Sequence, residues 1–593
     1  MAGNIEDTAV RGFNISNKLR TNYVFPCAGF IPFPETNGYA EYPDVPRDST
    51  PRSSSSWTIE FSGFGTVYAA IPTFLGSLPP SRIDVVIPDQ TQWPPTLWSQ
   101  LDARDSVHVG NSRINSLGIS TYLRDALQSW SNRVNNFADV YRGLPFGSTI
   151  LLKNLSEDLG SLDFQTLPND SIMEPGVFLS SEELGALWNY SGSDMPLAIP
   201  YTKLRHLKQL SSDVILVSVS YENREEGIMV FKSSKRNPAR SYHEIKTLLA
   251  LEPAETILGR PRYLVTIPSS GKVCGFLLTY YEGGNLSNIL PQRRLSGTLT
   301  HRQQLSWAFD ITASLIHIQK SPVKFYSDLR LDQLVLSRKP DGSETAVLLD
   351  FEQSRNIYNW APPEIYYLEW ISELGSRAYA RTGDLPDDIV AKYRAILDSY
   401  LQARGVPVPL QSPGDCYDNA ENGWYWPWLT STPEEQDAGM VYMLGKALWC
   451  LFEGIGEADV ILGRASVSDG QQRFPEFVRT PVEIQELIKR CTAGAREWID
   501  GHIKIYRREG KVFPLGKTGL HGEPEGTFEE TKQTITRFWR TEMQKAEAFV
   551  QARIRYDKNE ADDGDLGLLH YLQRPTLQEV MLALERYRDR APP

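Results

Sequence analysis

Two aspartates, a lysine and a glutamate stand where their types and spacing could do chemistry. Asp328 lies in "FYSDLRLDQLVL" (residues 325–336) and Asp350 in "VLLDFEQ", close to the two ends of a predicted β-hairpin. That hairpin is the strand "QLVLS", a "KPDGSE" turn and the strand "AVLLDF". A hairpin returns the chain to its starting point, so this separation brings two carboxylates to one cleft. Lys232 closes a predicted strand, "IMVFK", and Glu244 stands in "SYHEIKTLLAL", where Ile245, Leu248 and Leu249 have helical apolar spacing. Taken singly, a lysine and a helix glutamate are what any surface supplies, and an aspartate can simply end a strand or cap a helix. Taken in order along one chain, they form a set of opposite charges suited to holding an anionic ligand and its counter-ion.

The elements that must position them are legible from residue 200 onward. "DVILVSVSYENREEGIMVFKSS" reads as two strands joined by a polar turn at Glu222–Gly227, and "RYLVTIP" and "VCGFLLTYY" as two more with a turn at Ser269–Lys272. "HRQQLSWAFDITASLIHIQ" is a strong amphipathic helix, apolar at Leu305, Phe309, Leu315, Ile316 and Ile318. The chain beyond the hairpin reads as mostly helical, with long irregular inserts at about 371–435 and 500–570. Upstream, residues 38–57 read as a mobile surface segment, Trp57–Ala70 and "IDVVIPD" as strands, 113–142 as helix, and 148–190 as strands mixed with acidic loops. No motif in 1–195 assigns itself to chemistry.

This order of elements and motifs resembles the protein-kinase superfamily over roughly residues 200–593. The fold it implies is α+β: a two-lobed protein kinase-like fold, here with an additional N-terminal α/β domain. The divisions are an accessory region 1–195 of unknown role, an N-lobe and hinge at 196–284, and a C-lobe at 285–593 carrying the inserts. The set "SDLRLDQLVL…LLDFEQ…WAPPE…MLGKALWCLFEG" is similar to an uncharacterised group of kinase-like proteins from filamentous fungi.

The resemblance implies ATP and Mg²⁺ as cofactors and a role for each matched residue. Lys232 would neutralise the α/β-phosphates while pairing with Glu244. Asp328 would accept or orient the acceptor hydroxyl, with Arg330 replacing the usual lysine nearby. Gln333 takes the place of the second-metal asparagine, and Asp350 would bind the metal bridging the phosphates. Glu364, in "WAPPE", would pair structurally with Arg574 of "RPTLQEVMLALERY". The implied activity is a phosphotransferase of Ser/Thr type acting on a protein or small-alcohol acceptor. The alternative is a pseudokinase that keeps the fold as a nucleotide-binding, scaffold or regulatory module.

Several departures favour that alternative. Tyr326 and Ser327 replace the usual His-Arg pair, and Glu352 replaces the glycine after Phe351, which adds a charge and restricts the backbone. "LKQLSSDVILVSVS" contains no glycine to cradle phosphates. Only fourteen positions separate Asp350 from Glu364, with Ser354 and Tyr358 as the hydroxyl side chains between them, which leaves little room for a phosphorylation switch or a peptide platform. Met440 stands where the family has an aspartate, and Asp437 is out of register.

Bulk properties narrow the classes. The chain has 593 residues, 41% hydrophobic and 23% charged, an ordinary globular balance. The net charge of −12 argues against broad nucleic-acid binding. Five scattered cysteines without a CxxC pair fit reduced thiols. No secretory signal and no run of about 18 apolar residues is present, so the expected location is cytoplasmic or nuclear, without membrane or nucleic-acid partners. "SGFGTVYAA" (62–70) reads as a tight turn between strands, since no lysine follows on the next strand. "WYWPWL" reads as a loop buried by its aromatics and "DKNEADDGD" as a solvated acidic loop.

Overall fold

A computed structural model describes residues 56–63, 67–76, 82–88, 93–98, 101, 118–169, 174, 176–192, 194–211, 213–221, 224–233, 235, 238–353, 360–375, 387–406, 426–456, 472, 474–500, 505–508, 511–514 and 525–590. Nearly all of segment 38–57, the turn residues 64–66, the start of the 113–142 stretch, and Ser354 and Tyr358 lie outside the described residues. The chain is mixed α+β with several sheets.

The first sheet has the order β1 (Trp57–Gly63), β2 (Val67–Pro72), β3 (Ile83–Val86), β4 (Thr149–Leu152), β5 (Phe164–Leu167). β1 and β2 pair directly from Gly63 to Val67, which agrees with a turn in "SGFGTVYAA". β3 and β4 run parallel, a pairing that needs a crossover. Helices α1 (Gly118–Arg133) and α2 (Phe137–Arg142) lie in that connection. Ile119, Leu123, Ala126 and Leu127 of α1 lie on one helical face and join a core with Trp57, Ile59, Val85 and Ile150. Trp57 meets Phe137 and Tyr141 edge-on at 5.9 and 6.0 Å.

Within 148–190, which reads as strands and loops in the sequence, the structure also forms helix α3 (Ser181–Trp188). Ser180 caps it and Glu183 bonds back to the cap, a reciprocal Ser-x-x-Glu signal present in the sequence. Leu184 and Trp188 of α3 belong to the same core as Tyr242, Ile245 and Leu249 of α4 (Pro238–Ala250).

The second sheet has the order β6 (Leu197–Pro200), β10 (Tyr263–Thr266), β11 (Val273–Thr279), β9 (Arg224–Lys232), β8 (Val214–Tyr221), β7 (Leu204–Gln209). β7, β8 and β9 are an antiparallel meander. Pairing runs out to Tyr221 and Arg224, so the turn is tighter than the expected Glu222–Gly227. Gly227 instead lies inside β9 at φ +84°, next to a register shift that a side chain would strain. β11 is buried from Val273 to Leu278, which is why its sequence is a continuous apolar run.

The remainder is mostly helical. α5 (Leu286–Leu295) and α6 (His301–Lys320) precede the hairpin β12 (Leu334–Arg338) and β13 (Glu344–Leu348). α9 (Pro433–Glu453) is buried almost throughout and touches α6, α10 (Val482–Cys491) and α12 (Leu577–Arg590). The expected irregular inserts are largely regular where described. α7 (Pro363–Gly375) continues into the first, α8 (Asp387–Ala403) lies within it, and a thirty-residue α11 (Phe528–Asp557) fills much of the second. These helices share a second core of Tyr366, Trp370, Tyr393, Leu397, Phe538, Phe549 and Val550. The apolar positions of α11 are widely separated among charges, so its periodicity reads weakly until a partner surface is present. Its pairing with the main body includes Glu435, which receives Arg404 at 2.6 Å and also Arg553. "WYWPWL" ends in a short helical turn whose Trp428 is buried and stacks on Phe325 at 5.3 Å, a packing role.

Candidate functional site

Strand alternation determines where Lys232 points. Met229 and Phe231 bury one face of β9, so Lys232 leaves by the other, toward α4. It sits inside the sheet, opposite Val214 of β8 and Phe276 of β11. Close approach there depends on Gly275, where an added Cβ would lie 2.5 Å from the Lys232 carbonyl oxygen. The Lys232 Nζ lies 2.6 Å from Glu244 Oε2, in contact with Asp350 Oδ1, and 3.9 Å from Glu352. Glu244 is wholly buried on α4, and its other oxygen accepts the Phe351 amide at 3.2 Å.

Asp350 follows β13 with φ +59°, a left-handed conformation that aspartate tolerates better than most residues. Tyr326 holds this turn: its hydroxyl donates to the Leu349 carbonyl at 2.6 Å, and its ring meets Phe351 edge-on at 5.4 Å. The loop around Asp328 is tied to the same turn. Gln353 accepts the Ser327 amide at 2.9 Å and donates to the Phe325 carbonyl at 2.6 Å. Asp328 is 2% exposed and receives Arg330 in two bonds, 3.0 and 3.1 Å. The Gln333 side chain donates to Asp328 at 3.4 Å, and its backbone carbonyl accepts the amide of Leu349, next to Asp350, at 2.8 Å, so one residue ties together the stretches that carry the two acids.

Four carboxyls therefore face two cationic groups, and the protons distribute accordingly. Burial alone would lower Lys232, but Asp350, Glu244 and Glu352 hold its amine well above the usual value. Burial also pushes Asp350 up, yet Lys232, Arg330 and Gln333 outweigh it and keep the carboxyl below the usual range. One amine cannot neutralise every acid, and the most deeply buried one gives way. Burial raises Glu244 to about 7 against the pull of Lys232. Burial drives Asp328 well above the carboxylate range despite Arg330.

One oxygen each from Glu244, Asp350 and Glu352 lie within 4.8 Å of one another, a hard-ligand arrangement of the kind that suits a divalent cation. The turn after β7, which leads into Val214 opposite Lys232, uses its own amides internally. Leu210 N and Ser211 N both donate to the Val214 carbonyl, at 2.9 and 3.1 Å.

The structure thus brings together Lys232, Glu244, Asp328, Arg330, Gln333 and Asp350. Glu364 and Arg574 meet elsewhere, in a buried pair where Arg574 also donates to the Ala438 and Ala493 carbonyls. Asp437 lies apart from the cleft and accepts Gln319 at 2.7 Å. Sequence reasoning missed Gln353, whose two bonds are visible only once loop and turn are adjacent. Among the described residues Cys274, Cys450 and Cys491 are buried free thiols, and no helix is long and apolar enough to cross a membrane. No protein-family model and no curated protein matches the chain.

Proposed function

We propose that the chain is an ATP- and Mg²⁺-dependent phosphotransferase with a two-lobed, protein kinase-like fold over residues 196–593. The observation that carries this reading is the Lys232 amine meeting both Glu244 and Asp350, with Gln333 bonded to Asp328 by its side chain and to the Leu349 amide beside Asp350 by its carbonyl. Three elements far apart in sequence converge on one charged cleft, as phosphoryl transfer by positioning and charge neutralisation requires.

In this reading Lys232 turns from Asp350 to the α/β-phosphates, while Glu244 keeps it aligned. Asp350 and Glu352, from the acidic cluster, would hold a hard divalent ion that offsets phosphate charge, with the Gln333 amide as the further ligand the family resemblance implies. The acceptor hydroxyl oxygen forms a bond to the γ-phosphorus as the bond to the β-phosphate oxygen breaks. Asp328 orients the hydroxyl, whose proton ends on an oxygen of the transferred phosphoryl group, and ADP leaves. Arg330, which now holds both oxygens of Asp328, is placed to turn toward the transferring group.

Of the two acceptor classes, a small alcohol is favoured over a protein segment. Residue 350 leads within fourteen positions to Glu364 and straight into α7, whose residues Ile365–Ile371 are all buried beside α8 and α11. Among the described residues, that leaves α7 no open face for an extended peptide.

The competing reading is a pseudokinase that serves as a binding or scaffold module. Its specific support is the turn after β7, which lacks glycine and whose Leu210 and Ser211 amides are already bonded to Val214. Radiolabelled ATP with purified protein and a panel of small alcohols and Ser/Thr peptides separates the two. Label transfer lost in Asp328→Ala and Asp350→Asn is expected. Transfer that survives Asp328→Ala overturns the assignment, and nucleotide binding without transfer establishes the pseudokinase.

A further inference from the structure

The region upstream of β6 grips the second sheet on both sides of Lys232. The first grip is Glu60 of β1. Its carboxylate accepts the Gln209 amide at 2.7 Å and lies 3.3 Å from His206 Nε2, both on β7. Gln209 is fully buried and opens the turn that leads into Val214, the residue paired with Lys232. The second grip falls three residues beyond Lys232. Lys235 donates to Asp84 of β3 at 2.9 Å, and Arg82 holds the other Asp84 oxygen at 2.7 Å. The Lys235 carbonyl accepts Asn169 at 2.8 Å, just past β5. Lys235 and Asp84 side chains are 14% and 15% exposed, so this pair is shielded from solvent. The third grip is on α4 itself, the helix that carries Glu244, whose Tyr242, Ile245 and Leu249 share a core with Leu184 and Trp188 of α3. Tyr242 of α4 receives the Leu179 amide at 2.9 Å and donates to the Val273 carbonyl at 2.8 Å.

We propose that the segment from β1 to α3 is a built-in brace, which holds the β7–β8 turn, the β9–α4 link and α4 so that the Lys232–Glu244 pair stays formed. Contacts merely joining two domains could fall anywhere on the second sheet. These fall on β7 at the turn that leads into Val214, the β8 residue paired with Lys232, on the residue three beyond the lysine, and on the helix bearing its partner. A chain braced in this way needs no modification of the short stretch between Asp350 and Glu364 to assemble the cleft. The brace rests on the phosphotransferase reading only in calling the paired state the working one. Its mechanical content concerns the protein without nucleotide.

Hydrogen exchange on the full-length, nucleotide-free protein tests it, comparing wild type with Glu60→Ala, Lys235→Met and the double variant. Lys235→Met is the milder change because Asp84 keeps Arg82. The two grips are charge-assisted bonds, so the double variant is expected to exchange about tenfold faster or more in peptides covering 205–214 and 238–250. Peptides from α9 and from α1 are expected to stay at the wild-type rate. As a surface control, Asp163→Asn removes the exposed Lys153 pair at 3.2 Å and should change none of these peptides. Unchanged exchange at 238–250 in the double variant overturns the brace, and so does acceleration spread equally over α1 and α9. A MgATP thermal-shift titration keeps the two proposals apart. A wild type that shows no shift counts against the nucleotide reading, while the exchange pattern still decides the brace.

Discussion

Replacing Lys232 by methionine removes the amine that stands between Glu244 and Asp350. The Lys232 side chain is 15% exposed, Glu244 is 0% and Asp350 23%, so water can solvate Asp350 in part but not Glu244. Breaking a buried pair by deleting one partner costs about 3–5 kcal/mol. The cost must depend on pH, because Glu244 can escape it by taking a proton. Its folded-state value of about 7 lies above the unfolded 4.5, so its contribution to stability is complete below about 4.5 and is lost as pH rises through about 7. Without the amine this loss extends to higher pH, and the penalty should be larger at pH 8 than at pH 6. With an unfolding entropy of about 2.1 cal/mol/K per residue, a chain of this size shifts by about 1 °C per kcal/mol, so Lys232→Met should melt roughly 3–5 °C below wild type at pH 8. Lys232→Met/Glu244→Gln should recover most of that difference, since glutamine carries no buried charge. Differential scanning fluorimetry at the two pH values is the assay, with MgATP added as a second arm in which Lys232→Met should lose any shift. A single variant melting with wild type at both pH values, or a double variant no better than the single, would refute the reasoning.

Three further outcomes rest on the same geometry. Tyr326→Phe deletes the hydroxyl that holds the Leu349 carbonyl at 2.6 Å; it should cost about 1–3 kcal/mol and speed hydrogen exchange around Asp350. Gly275→Ala places a methyl 2.5 Å from the Lys232 carbonyl oxygen, so it should destabilise by about 1–3 kcal/mol in urea titrations and weaken nucleotide binding more than a matched change at exposed Gly192. Burial pushes Glu435 up, but Arg553 and Arg404 hold it at about 2, so its contribution is present above about 4.5 and lost as pH falls through about 2. Glu435→Gln should therefore cost about 3 kcal/mol at pH 7 and flatten the acid limb of the stability profile measured between pH 2 and 7.

The amino-acid sequence by itself determined the local elements and the chemical types at the cleft. Helical spacing placed Glu244 on α4, alternation and turn residues placed β12 and β13, and the hairpin between them implied that Asp328 and Asp350 return to one place. These are short-range effects, governed by propensity and by the 3.6- and 2-residue periods of helix and strand. Tertiary structure decided which groups meet and who holds the protons. That Lys232 sits on Glu244 and Asp350 together depends on Gly275 admitting β9 against β11, and Gln353 joins the two loops only after both are in place. The regularity of α8 and α11 and the grips of Glu60 and Asp84 on β7 and Lys235 were likewise invisible, because each depends on a partner more than a hundred residues away. No local pattern encodes such a contact. Burial, which converts an ordinary glutamate into one that titrates near neutrality, exists only when the whole chain has closed around it.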